Sequence, residues 1–100
     1  MLSGLASKGK ITVDEGAMVA LKKQNKSLLP AGIVGVEGNF QRGDIVDIFD
    51  KQGKHIACGI SNYDSTDILV IKGAHSDKIP ALLGYDYGDE VIHRNNMVVL

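Results

Sequence analysis

The chain has 100 residues, 44% of them apolar and 23% charged, with a formal net charge of −1. That length holds one domain and leaves little room for two, and the balance of apolar and charged residues excludes a disordered polyelectrolyte. The lone Cys58 excludes an intramolecular disulfide and a cysteine-rich zinc site.

A single free thiol suits a reducing cytosol, so a cytoplasmic location is expected. No apolar run approaches the roughly 18–20 residues of a membrane span, and no membrane partner is expected. Aromatic residues make up 5% of the chain and Trp is absent, which argues against a platform of rings for stacking bases. The opening MLSGLASKGK lacks the apolar core of a signal peptide. Residues 1–9 read as a linker or an added lead-in, and residues 10–100 as the domain.

The first ordered segment is KITV, a short β-branched run that stops at Asp14. Asp14 suits an N-cap, since its carboxylate can accept from the free N–H groups of a first helical turn. From Glu15 to about Gln24, Ala17, Met18, Ala20 and Leu21 cluster on one face at helical spacing. Lys22, Lys23 and Lys26 follow at the C-terminal end, where cations offset the negative pole of the helix dipole.

After Pro30 the texture changes. AGIVGVEG and GDIVDIF read as strands separated by the turn GNFQRG, and DKQGK links the second of them to HIACGISNY as a hairpin. In that last strand Ile56, Cys58 and Ile60 alternate onto one face. Gly35 and Gly59 lie inside strands, where glycine marks a bulge or a tight bend. DSTDILVIKG suits either a strand or a short helix capped by Ser65 and ended by Gly73; the cap and the final glycine favour the helix. HSDKIPALLG repeats the pattern, with Ser76 as cap, Pro80 early and Gly84 as the stop. DEVIHR and MVVL flank Asn95 and Asn96, a pair that suits a tight hairpin turn.

Short strands with glycine bends and no alternation of strand and helix predict a mixed α+β fold, mostly β. Its form is a small, mainly antiparallel barrel, with a first helix after strand 1 and one or two short helices in the C-terminal half.

Chemistry-bearing motifs are sparse. The P-loop pattern is absent, GKIT sharing only its Gly-Lys pair, and no GxGxxG follows a strand. Cys58 sits between Ala57 and Gly59 and reads as a small core residue with no base beside it. His55, His75 and His93 lack metal-ligand spacing, and His55 and Cys58, three apart on a strand, point to opposite faces. Arg42-Gly43-Asp44 is turn chemistry opening a strand. HRNN at His93 has Asn95 where a kinase loop carries its catalytic Asp, and Asn25-Lys26-Ser27 is a glycosylation sequon only in a secreted protein.

One charge feature stands out. Residues 1–30 carry five lysines against two acids, whereas residues 31–100 carry six basic and ten acidic residues. KKQNKSLLPAGI, residues 22–33, therefore has two readings: a solvated helix end entering a strand, or a surface in which lysines and the turn's backbone N–H groups hold a polyanion's phosphates.

GKITVDEGAMVAL, SLLPAGIVGVEGNFQRGDIVDI, GKHIACGISNY and GYDYGDEVIHRNNMVVL together resemble a PUA domain, from about Lys8 to Leu100. More narrowly they resemble the PUA domain at the C-terminus of bacterial glutamate 5-kinases, EVIHR followed by MVVL being the more particular part. The resemblance implies a small pseudo-barrel. It further implies an RNA-facing surface at the first helix and the turn after it: Lys22, Lys23, Lys26, Ser27, Pro30, Ala31 and Gly32. In the kinases such a domain serves assembly or regulation within a homo-oligomer. An amino-acid-kinase domain of the same chain holds glutamate, ATP and magnesium there, so no catalytic residue and no cofactor is expected in this stretch. The alternative is an RNA-binding module of an RNA-modifying protein.

Overall fold

The computed structural model describes residues 8–100. Residues 1–7 of the proposed lead-in lie outside the described residues.

β1 (Gly9–Val13) runs into α1 (Glu15–Lys23), which begins where the sequence places it. Asp14 is the N-cap, and its Oδ1 accepts from the Ala17 N–H at 2.7 Å. The chain then makes a 3-10 turn at Pro30–Gly32 before β2 (Ile33–Gly38), so the AG of AGIVGVEG belongs to the turn and not to the strand. β3 (Ile45–Phe49), β4 (His55–Ile60), α2 (Ser65–Ile71), α3 (Ile79–Leu83) and β5 (Met97–Val99) follow. The five strands form one sheet in the order β2-β1-β3-β4-β5. Only β1 and β3 run parallel, because α1 and β2 intervene between them in sequence; the other three pairings are antiparallel.

Inward-facing residues of the sheet and the helices meet in one core that includes Ile11, Val13, Leu21, Ile33, Val46, Ile48, Ile68 and Ile79, all essentially inaccessible to water. The bulge anticipated at Gly35 is present: Thr12 pairs with Gly35 but Val13 with Ile33, leaving Val34 as the extra residue. Gly59 answers a different need. A Cβ there would lie 2.7 Å from the Asn96 carbonyl oxygen and 2.8 Å from Ile92 Cγ2. The C-terminal segment crosses β4 at backbone distance, and only glycine leaves room for it.

Several local expectations need correction. α2 is helical, but its cap is Asp64, whose Oδ1 accepts from the Asp67 N–H at 2.8 Å; Ser65 is already inside the helix, buried beside Phe40. Ser76 caps nothing: it opens a 3-10 turn, Ser76–Lys78, and α3 starts at Ile79 without a side-chain cap. Gly84 does end α3, in the left-handed conformation at φ +80°.

β4 does not alternate simply either. Ile48 pairs with Ala57 and Phe49 with His55, so Ile56 is an extra residue and joins Ala57 in the core. Cys58 is buried outside that cluster, and Ile60 is 39% exposed.

The hairpin expected around Asn95 and Asn96 does not form. Arg94–Asn96 is a 3-10 turn, and β5 pairs with β4. The reason lies in the backbone bonds of the preceding segment. Ile92 forms an isolated antiparallel bridge with Leu28, and the Val91 carbonyl accepts from the Asn62 N–H at 2.7 Å. With those groups taken, DEVIHR has nothing to offer β5.

Replacing Gly59 with alanine is expected to destabilise the domain by about 1–3 kcal/mol, the usual range for overpacking a tight site. Urea unfolding checks this, and valine at the same position is expected to cost more than alanine.

Candidate functional site

An open groove of about 710 Å³ lies between α1, the Pro30–Gly32 turn and the 90–94 segment. Its first wall is α1, contributing Gly16, Ala17, Ala20 and the end residue Gln24. The second is Lys26 to Leu29 with Ala31 and Gly32, and the third is Glu90, His93 and Arg94.

Small residues bring the first two walls together. A Cβ on Gly32 would stand 2.5 Å from the Ala17 Cβ, so the turn rests directly on the helix. The contact is fixed by the Asp14 N–H, which donates to the Gly32 carbonyl at 2.9 Å. At the other end of α1, Asn25 adopts φ +51°, a left-handed conformation that asparagine tolerates better than most residues. This reversal lets the Lys26 N–H reach back to the Ala20 carbonyl at 3.1 Å and sets Lys26 on the groove wall. The third wall is joined to the second by the Arg94 N–H, which donates to Ser27 Oγ at 3.0 Å. His93 Nδ1 accepts from the Asn95 N–H at 3.1 Å, which orients its ring.

The residues singled out from sequence are thus only partly brought together. Lys26, Ser27, Ala31 and Gly32 line the groove; Pro30 is buried, and Lys22 and Lys23 are exposed on the last turn of α1 without lining it. Sequence reasoning missed Arg94 and His93, which stand 67 and 66 positions after Ser27. No local pattern connects such distant positions; only the backbone bonds between Leu28 and Ile92 do. The groove carries both signs of charge, Lys26 and Arg94 against Asp14 and Glu90. Asp14 is committed to capping α1.

The free thiol, Cys58, does not line the groove. Cys58 is 4% exposed, and burial, with the nearby Asp47 carboxylate as a lesser cause, pushes its thiol pKa up. Among the described residues, no group of three or more His, Cys, Asp or Glu is placed to hold a metal ion. No helix among them is long and apolar enough to cross a membrane.

The PUA domain family matches residues 9–83. The chain belongs to that family. Among curated relatives, a glutamate 5-kinase of Dehalococcoides mccartyi is 54% identical over 100 residues, covering all of this chain and 27% of the relative. A glutamate 5-kinase of Shewanella sediminis is 50% identical over the same span, again 27% of its length. The chain therefore spans about a quarter of the relatives it matches. Among solved structures, a PUA domain from Aeropyrum pernix K1, determined as a tartrate complex, superposes with a TM-score of 0.63 at 27% identity. That match covers 92% of this chain and 46% of the other.

The family match ends before the third groove wall. Glu90, His93 and Arg94 belong to residues 84–100, which the PUA family leaves unmatched and the kinases continue to match. One side of the groove in this PUA domain is therefore built from sequence shared with the kinases.

Iodoacetamide is expected to modify Cys58 at least about a hundredfold more slowly in the folded domain than in urea at the same pH, because the buried thiol resists ionisation. Mass spectrometry over time gives both rates; equal rates would contradict the placement of Cys58.

Proposed function

We propose that this chain is the C-terminal PUA domain of a glutamate 5-kinase and acts there in assembly or regulation. Its parent transfers phosphate from ATP to the γ-carboxylate of glutamate, the first step of proline biosynthesis. What supports this reading is that identity near one half runs through the whole chain, including residues 84–100 beyond the PUA family match. Glutamate, ATP and magnesium would be held by the amino-acid-kinase portion of the parent. The 100-residue sequence lacks the glycine-rich loops that cradle nucleotide phosphates. A cytoplasmic homo-oligomer is the corresponding setting.

The expected outcome is absence of glutamate-dependent ATP turnover by the 100-residue domain at concentrations where the full-length chain turns over readily. A coupled assay for ADP release measures it. Turnover by the domain alone would overturn the reading.

A second reading concerns the groove as a surface for RNA. It is favoured by the convergence of Lys26 and Arg94 on one groove, with Lys22 and Lys23 exposed beside it. Four cations neutralise few phosphates, so binding would be modest and would fall steeply with salt. In fluorescence anisotropy with a short structured RNA, the double charge reversal Lys22→Glu and Lys23→Glu is expected to weaken binding about tenfold or more at low salt and to flatten the salt slope. An unchanged isotherm would remove Lys22 and Lys23 from the binding surface, and no binding at low salt would eliminate RNA as a ligand.

A further inference from the structure

A second surface lies away from the groove and has no part in the function proposed above. It is built on Tyr63, Tyr85 and Tyr87, the only tyrosines in the chain. Tyr63 is fully buried, and its hydroxyl gathers the 86–88 loop around itself. It accepts from the Tyr87 N–H at 2.9 Å and lies 2.6 Å from the Gly88 carbonyl and 3.1 Å from Asp86 Oδ1. The Gly88 N–H in turn donates to Asp86 Oδ1 at 2.6 Å. Tyr85 donates its hydroxyl proton to Asp67 Oδ1 on the buried side of α2, and that bond raises its pKa to about 12.

The consequence is that Tyr85 and Tyr87 are pinned yet remain 42% and 43% exposed. Their ring centroids are 5.2 Å apart, and the Arg42 guanidinium carbon sits 3.9 Å from the Tyr87 centroid. Exposed aromatic rings and an arginine, with Tyr85 held by its hydroxyl and Tyr87 by its backbone N–H, are the composition of an interaction hot spot.

The Lys8 N–H donates to the Ile45 carbonyl at 2.8 Å, and Gly9 pairs with Val46, so the chain joins the sheet at the start of β3. Arg42 lies three positions before Ile45, in a turn that the Gly43 N–H ties to the Ser61 carbonyl at 2.8 Å. The Arg42 turn therefore lies at the same end of the sheet as the start of β1. Tyr85 and Tyr87 also fall in residues 84–100, outside the PUA family match and inside the kinase match. Almost three quarters of the length of those kinases lies outside the matched region.

We infer that Tyr85, Tyr87 and Arg42 form the surface on which the preceding catalytic portion of the same polypeptide docks; this rests on the reading of the chain as the C-terminal domain of a longer kinase. Two further points commit the patch to that occupant. It is built on three exposed side chains, where a stable complex of free proteins buries roughly 800 Å² per partner. A tether supplies the difference, because a covalently linked partner is held at millimolar effective concentration. The rim is acidic, with Asp86 and Asp89 exposed, so the complementary face carries lysine or arginine.

The test uses the full-length chain with a protease site introduced within residues 1–7, and hydroxyl-radical footprinting read by mass spectrometry. Before cleavage, oxidation of Tyr85 and Tyr87 is expected to be slow; after cleavage and dilution it is expected to rise about tenfold as the tether is lost. The substitution D89K in the uncut protein is expected to raise oxidation in the same direction, with Tyr63 unchanged as the control for folding. Equal rates before and after cleavage overturn the inference. So does protection in the uncut chain that disappears on diluting it, since the cover would then be a second copy. An upstream reading frame without a kinase domain would instead remove the proposed function itself, which separates the two failures.

Discussion

The arrangement depends on a short buried stretch of backbone, Val91 and Ile92. The Val91 N–H donates to the Leu28 carbonyl at 2.8 Å, the Leu28 N–H donates to the Ile92 carbonyl at 2.9 Å, and the Asn62 N–H donates to the Val91 carbonyl at 2.7 Å. These bonds lie among fully buried side chains, where an unmade hydrogen bond costs its full desolvation penalty. Two consecutive residues thereby join the loop after α1 to the loop after β4. The joint places Arg94 beside Ser27, completes the groove, and brings β5 to the outer side of β4 across Gly59.

Glycine makes this compactness possible at two contacts of the same kind. Gly32 lets the turn lie on Ala17, and Gly59 lets the C-terminal segment lie on β4. Neither position has positive φ; what matters is the missing Cβ. A domain of 100 residues has little interior to spare, and close backbone contact at these two places lets a single small core serve helix, turn and sheet together.

The groove and the tyrosine patch divide the surface by chemistry. The groove is open, of mixed charge, and lined by flexible cationic side chains together with backbone. The patch is aromatic, pinned by hydrogen bonds to buried groups, and acidic at its rim. A surface built from lysine and arginine suits an extended anion, whereas fixed rings suit a folded partner. Both draw on residues 84–100, the part of the chain beyond the PUA family match.

Much of the framework was legible in the sequence because its causes are local. Asp14 before an amphipathic run specifies α1, β-branched alternation specifies the strands, and Gly84 specifies the stop of α3. The cap of α2 was misplaced by one residue because Asp64 and Ser65 are both competent, and only the helix geometry chooses between them. The hairpin around Asn95 and Asn96 failed for a deeper reason: a turn-prone pair pairs its flanks only if their backbone groups are free, and tertiary bonds to Leu28 and Asn62 had taken those of Val91 and Ile92. Likewise, Lys26 and Ser27 could be chosen from the sequence, but Arg94 and His93 could not, since their place in the groove comes from contacts across more than sixty positions. What the residues determined by themselves was each element and its character; which elements share a wall was decided only when buried backbone had to find its partners.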